Sequence, residues 1–109
     1  MKLSKFADEF NLEVIQNQYE DCEINDGYTS DLLSDVMANA PAESVLITIQ
    51  AHKNTIAVAG LAGIRAVVVC NNRKIEEDMI KAAKEEEIAI FKTKENQFRT
   101  THKISAAIL

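Results

Sequence analysis

Three short apolar runs constrain the fold of this chain most strongly. They are SVLITI (Ser44–Ile49), RAVVVC (Arg65–Cys70) and IAIFKT (Ile88–Thr93). None alternates apolar with polar residues, as a strand with one face in water would. Uninterrupted apolar runs of this length are typical of parallel strands that helices cover on both faces. The three runs therefore predict a mainly parallel sheet in which they are neighbours.

The segments around these runs have mostly helical patterns. Residues 54–64 (NTIAVAGLAGI) predict an apolar helix capped by Asn54, and residues 75–86 predict an amphipathic helix with a solvated charged face. Right-handed crossovers place these two helices on the same face of the sheet. Elsewhere the sequence predicts a helix over 4–10, a strand over 12–15, a short strand over 22–24, a helix over 31–40 with Leu32, Leu33, Val36 and Met37 on one face, and a last helix within 95–108.

The first and last of these helices are left to cover the opposite face of the sheet. The result is an α/β fold, a three-layer sandwich with a mainly parallel sheet. A chain of 109 residues is long enough for one modest hydrophobic core, so we expect a single domain over residues 1–109.

The helix over 54–64 is apolar nearly all round, so we expect it to be buried on more than one side. Ala57, Gly60 and Gly63 recur at three-residue spacing and allow another backbone to approach closely. Two interpretations remain open. The small residues either serve tight packing of the helix on the sheet, or one face of the helix also packs against a second copy of the protein.

Composition excludes several classes of partner. The formal net charge is −5 and the basic residues are dispersed, which disfavours nucleic acids and anionic membrane surfaces. No apolar run approaches the roughly 20 residues of a membrane span, and the first residues have the pattern of an amphipathic helix rather than a signal peptide. The only two cysteines, Cys22 and Cys70, lie far apart, which fits a reducing compartment. We therefore expect a cytoplasmic protein.

The order of elements from Ser44 to Phe98 resembles the second half of a DRTGG domain, a module related to the N-terminal domain of HPr kinase/phosphorylase. The similar features are a strand ending in a polar loop, a helix of small residues, the run AGIRAVVV, a second loop, a helix ending in acidic residues, the run IAIFKT and a last helix containing Phe98. The opening KLSKFADEFNLEVI also fits. The resemblance implies a fold like that of the HPr kinase N-terminal domain.

The chain departs from this family at the residues that give it its name. The loop after the first buried strand usually reads Gly-Asp-Arg and here reads QAHK (residues 50–53), and the loop after the second usually reads Thr-Gly-Gly and here reads CNNR (residues 70–73). The resemblance implies a non-catalytic accessory domain with roles in oligomerisation and regulation, such as those beside CBS domains in pyrophosphatases. The phosphoryl chemistry of HPr kinase belongs to a separate P-loop domain, and no P-loop frame surrounds the three glycines here.

Both polar loops are expected at the carboxyl ends of adjacent strands, where open α/β sheets bind ligands. A helix N-terminus lies behind His52 and Lys53, and unpaired N–H groups there favour anions. Arg73, in the next loop, adds a second cation; the alternative is that these are solvated loop residues. The predicted ligand-binding residues are Gln50, His52, Lys53, Asn54, Asn71, Asn72 and Arg73.

Two classes of function follow. The first is a non-catalytic regulatory or scaffolding module, a homodimer that senses a small anionic ligand or a protein partner. The second is a small enzyme that acts on an anionic substrate with His52 as acid or base, although no carboxylate in the sequence pattern orients His52.

No cofactor is expected. No metal site is expected either, because Cys22, His52, Cys70 and His102 lack the short spacing of zinc ligands, and the acidic residues between 21 and 35 are typical of a solvated loop.

Overall fold

The three apolar runs form the three middle strands of a five-stranded sheet. The computed structural model describes all residues from 1 to 109. The strands are β1 (Glu13–Gln16), β2 (Gly27–Thr29), β3 (Val45–Thr48), β4 (Ala66–Val69) and β5 (Ala89–Lys92). Their order across the sheet is β1-β5-β4-β3-β2, and only β1 is antiparallel to its neighbour. The prediction of a mainly parallel sheet is confirmed.

Five α-helices connect and flank these strands. They are α1 (Phe6–Phe10), which follows a 3₁₀ turn at Leu3–Lys5, α2 (Leu33–Asn39), α3 (Lys53–Ala62), α4 (Glu77–Glu86) and α5 (Gln97–Ile108). No helix is both long enough and apolar enough to cross a lipid bilayer. The element types therefore agree with the sequence prediction over most of the chain.

Alternate residues of the middle strands point into two separate cores. Val45, Val68 and Phe91 pack with α1 and α5, whereas Leu46 and Val67 pack with α2, α3 and α4. Every residue of β3 and β4 is buried, because both faces of the sheet are covered. The three-layer α/β sandwich is confirmed, including the placement of the first and last helices opposite the crossover helices.

Helix α3 begins one residue earlier than predicted and has no side-chain cap. His52 is the N-cap residue, in an extended conformation, and Asn54 lies within the first turn. Thr55, in the first turn, instead joins the helix to the preceding loop, because its hydroxyl donates to the carbonyl of Gln50 at 3.0 Å. Gly63 ends the helix in the left-handed conformation, with φ of 77°. The outer side of α3 stays open in a single chain, since Ala57, Gly60 and Leu61 are exposed.

The sequence prediction differs from the structure in several details between residues 22 and 40, although the helix predicted over 31–40 is present as α2. Residues 22–24 form no strand, and only a single bridge joins Glu23 to Lys2; the edge strand β2 instead begins at Gly27. A Cβ on Gly27 would come within 3.2 Å of Val45 Cγ1, so glycine permits the close approach of β2 to β3. Helix α2 starts at Leu33 rather than Asp31. Of its predicted apolar face only Val36 is fully buried, and Leu32, just before the helix, is 64% exposed.

Candidate ligand site at the carboxyl ends of the strands

The loop between β3 and α3 presents most of the predicted ligand-binding residues. His52, Lys53 and Asn54 are exposed at the N-terminus of α3, where no side chain caps the helix. Gln50 is half-buried, and its Nε2 donates to the carbonyl oxygen of Asp31 at 2.8 Å. Gln50 therefore fixes the loop, Ala51 is buried, and the side chains of His52, Lys53 and Asn54 are exposed to solvent.

Asp31 ties this loop to two other elements. Its Oδ1 accepts hydrogen bonds from the Thr48 hydroxyl, the Ile49 N–H and the Gln97 side-chain amide, each at 2.9 Å. Thr48 ends β3 and Gln97 begins α5, so one carboxylate oxygen joins the end of β3 to the start of the last helix. This network sets the position of the loop that leads into α3.

The loop between β4 and α4 has an unusual backbone at two of the predicted residues. Asn71 and Asn72 adopt left-handed conformations, with φ of 61° and 52°. Their N–H groups donate to the carbonyl oxygens of Glu95 and Thr93, both at 2.9 Å. Asparagine tolerates this conformation better than most residues other than glycine. The loop therefore keeps the backbone shape that glycines would allow, although the name-giving residues are absent.

The topology opens a crevice after β4 and β5, whereas the sequence predicts one after β3 and β4. Helices α3 and α4 pack on one face of the sheet and α5 on the other. The connections after β4 and β5 therefore diverge, which is the arrangement that opens ligand crevices in α/β sheets. A cavity of about 440 Å³ lies there, lined by residues 11–13, Asn72 and residues 92–95.

Only one of the seven predicted residues lines this cavity, namely Asn72. Lys53 and Asn54 border a different groove of about 270 Å³ between α3 and α4, which also contains Glu85 and Glu86. Arg73 is exposed and forms no ion pair; the ion pairs of the chain are Met1–Glu23, Arg65–Glu43 and Lys103–Glu95. No hydrogen bond joins His52 or Lys53 to Arg73.

His52, Cys22 and Cys70 bear the reactive groups that the sequence singled out. No carboxylate pairs with His52, and no group of three or more His, Cys, Asp or Glu residues is placed to hold a metal ion. Burial raises the pKa of the Cys70 thiol, and desolvation likewise raises the pKa of Cys22. A raised pKa keeps a thiol protonated, which is the opposite of what a nucleophilic cysteine needs.

Sequence reasoning missed Asp31 and the cavity residues Asn11, Lys92 and Lys94. Asp31 lies two residues after the end of β2, and a polar residue just after a strand is a usual site indicator, but β2 itself was not predicted. The cavity residues were within reach of prediction, because the sequence already placed the last helix on the opposite face. With the last helix on that face, the loops that diverge are those after β4 and β5.

Comparison with known proteins agrees with this architecture. The family model of the DRTGG domain matches residues 29–107. The structure is similar to that of the CBS and DRTGG domains of the regulatory region of Clostridium perfringens pyrophosphatase, solved in complex with its activator diadenosine tetraphosphate. The TM-score is 0.72 at 14% sequence identity, and the similarity covers 97% of this chain but 46% of that one. No curated protein matches the sequence.

The family match covers well over half of the chain and includes β2 to β5 with the helices between them. The likeness to the pyrophosphatase region extends the shared fold to nearly the whole length. The chain therefore belongs to the DRTGG domain family.

Proposed function

We propose that this chain is a non-catalytic regulatory module that responds to a small anionic ligand. The observation that carries the proposal is family membership, together with a fold shared with a regulatory region that was crystallised with a nucleotide activator. That structure contains CBS domains as well as the DRTGG domain, and this chain covers 46% of it. For this chain we therefore infer only the chemical class of the ligand, a small anion, and not its identity.

The loops at the carboxyl ends of the strands supply suitable groups for an anion. Lys53 lies in the first turn of α3, whose uncapped N–H groups and dipole favour negative charge, and His52 precedes it. Arg73 is a second exposed cation without a carboxylate partner. The proposed ligand-binding residues remain Gln50, His52, Lys53, Asn54, Asn71, Asn72 and Arg73.

The regulatory interpretation is favoured over the enzymatic one by the surroundings of His52. An acid or base catalyst needs a partner that orients the ring and a pocket that excludes water. His52 is exposed, and none of the main surface cavities is lined by it. Turnover of a phosphate compound by the wild type that is lost in His52→Ala would favour the enzyme.

A thermal-shift screen tests the ligand proposal. The wild type, Lys53→Ala/Arg73→Ala and the control Lys81→Ala/Lys84→Ala are compared with phosphate, pyrophosphate and adenine nucleotides. The control removes the same charge from the exposed face of α4. An anion at 100 times its Kd stabilises the wild type by about 2.7 kcal/mol, a shift of roughly 10 °C in Tm.

The control should keep the full shift, and the Lys53→Ala/Arg73→Ala variant should lose most of it. The absence of a shift for the wild type with every anion would contradict ligand sensing. An equal shift in all three proteins would contradict this location of the site while leaving ligand sensing intact.

Self-association is a second candidate function, favoured by the open side of α3. Leu61 is 77% exposed beside the small residues Ala57 and Gly60, and Met37 on the neighbouring α2 is 43% exposed. A second copy that packed on this side would bury α3 on more than one side, as its apolar sequence leads one to expect. We propose that the α2–α3 side forms a homodimer interface.

Light scattering at tens of micromolar tests the dimer. The wild type should have twice the 12.1 kDa mass of the chain. Leu61→Glu should be monomeric, since it would bury an unpaired charge in the interface, whereas Ala106→Glu on the exposed side of α5 should remain dimeric. A monomeric wild type would contradict the interface.

We further propose that residues 1–109 form one domain in the cytoplasm. Both cores draw on residues from widely separated parts of the chain, and the two cysteines are free thiols. Limited proteolysis that released a stable smaller fragment would contradict the single domain.

A further inference from the structure

The crevice between the loops after β4 and β5 holds cations that the protein does not neutralise. Lys92 ends β5 and Lys94 lies two residues further on, and both line the cavity of about 440 Å³. Neither takes part in an ion pair or a side-chain hydrogen bond of the chain. Two ammonium groups in one concave surface attract an anion more strongly than the same groups on an open face.

Of the two carboxylates near these lysines, one forms an ion pair and the other does not. Glu95 is held by Lys103, whose Nζ lies 3.4 Å from Glu95 Oε2, so its charge is already compensated. Glu13 is opposite Lys92 in the register between β1 and β5, but the two form no ion pair. Glu13 therefore remains a free hydrogen-bond acceptor at one side of the cavity.

The polar walls of the crevice are fixed by the backbone. Asn11 and Asn72 are both left-handed, and their N–H groups donate to the carbonyl oxygens of Ala7 and Thr93. Their side-chain amides have no hydrogen-bond partner within the protein, so each keeps two N–H donors at the edge of the cavity that it lines. The backbone beneath them is fixed, and only the exposed side-chain amides must be ordered when a ligand binds.

We propose that this crevice is a binding site for a small phosphate ester that carries hydroxyl groups. Lys92 and Lys94 hold the phosphate through charge-assisted hydrogen bonds, and the amides of Asn11 and Asn72 complete its donors. Glu13 accepts from a hydroxyl of the organic part and repels anions with charge at both ends. The cavity volume lies in the range of small-molecule sites.

This site is separate from the one proposed around His52, Lys53 and Arg73. It uses different cations, and it is lined by the turn before β1 and the end of β5 rather than by a helix N-terminus. Asn72 belongs to both sets of residues, so the lysine and arginine variants, which differ between the sites, distinguish the two proposals.

Nuclear magnetic resonance titration with ribose 5-phosphate tests the inference, with inorganic pyrophosphate as the comparison anion. Ribose 5-phosphate should shift the backbone amides of Asn11, Asn72 and Lys94 and should bind more tightly than pyrophosphate. The variant Lys92→Ala/Lys94→Ala should bind it at least about tenfold more weakly, because two charge-assisted bonds are lost. The control Lys81→Ala/Lys84→Ala and the variant Lys53→Ala/Arg73→Ala should titrate like the wild type.

The spectra also report whether each variant is folded, and the single variant Lys94→Ala, at an exposed position, provides a milder test. The Glu13→Gln variant should bring the two affinities closer together, since it removes the repelling charge. The absence of shifts at the three amides would overturn the site. Shifts confined to residues 52–55 would also overturn it while supporting the proposed function. Equal binding by Lys92→Ala/Lys94→Ala and the control would overturn the role of the lysines.

Discussion

Replacing Asp31 by alanine is expected to destabilise the fold strongly, although Asp31 lies in a loop. Its Oδ1 accepts three hydrogen bonds, from Thr48, Ile49 and Gln97. Hydrogen bonds to a charged group contribute about 1.5–3 kcal/mol each. Asp31 is half-buried, so water reaches part of the network, and the lower end of this range applies. The expected loss for the three bonds is about 4.5 kcal/mol, a large part of the stability of a small domain.

The Asp31→Asn exchange is the matched control. Asparagine keeps an oxygen at the Oδ1 position, so all three donors retain an acceptor and only the charge is lost. Bonds to a neutral acceptor contribute about 0.5–1.5 kcal/mol each, so we expect a loss of about 1–2 kcal/mol. Alanine instead leaves the hydroxyl of fully buried Thr48 without this acceptor.

Urea unfolding of the three proteins measures the difference. For a domain of this size the slope is about 1–3 kcal/mol per molar urea, so the alanine variant should lose roughly 2 M in its midpoint. The slopes should stay equal, because the surface exposed on unfolding does not change. If the alanine and asparagine variants have the same midpoint, the three hydrogen bonds do not carry the stability that we assign to them.

Two further predictions concern glycines and a carboxylate. Gly60→Ala should stabilise the fold of the single chain by up to about 1 kcal/mol, because the atom nearest to the new Cβ, at 3.2 Å, is the flexible end of Glu86. Gly63→Ala should instead destabilise it by about 1–2 kcal/mol, since the φ of Gly63 is 77°. A higher Tm for Gly63→Ala would refute this reasoning. The hydrogen bond from Asn39 is the largest cause that lowers the pKa of Asp35. The stability that this carboxylate contributes is therefore present above its pKa in the unfolded chain, and it is lost as the pH falls through its pKa in the folded protein. Asn39→Ala should raise the pKa of Asp35 toward its usual value in an NMR pH titration, and an unchanged pKa would contradict the assignment.

The middle of the sheet was predictable because burial on both faces favours apolar residues at successive positions of each strand. The run Ser44–Ile49 contains β3 (Val45–Thr48), and Arg65–Cys70 contains β4 (Ala66–Val69). Each predicted strand exceeds the observed one by a residue at each end. The pattern alone distinguishes these strands from half-exposed ones, and no distant contact is needed to identify them.

The edge strand β2 was not predictable in the same way. It has three residues, begins at Gly27, and none of them is fully buried. Its strand conformation depends on pairing with β3, which lies more than fifteen residues further along the chain. A segment rich in turn-forming residues before it carries the local preferences of a loop, so tertiary pairing decides the outcome.

The same distinction explains why the position of the loops was predictable and their joint geometry was not. Crossovers after β3 and β4 lead to the same face, so their loops run side by side and leave Lys53 and Arg73 in open solvent. A helix N-terminus at an exposed site contributes only about 0.3–1 kcal/mol to holding an anion. Those two residues alone therefore give weak binding in a single chain. Tighter binding of an anion is expected in the crevice beside Lys92 and Lys94, where two cations share one concave surface.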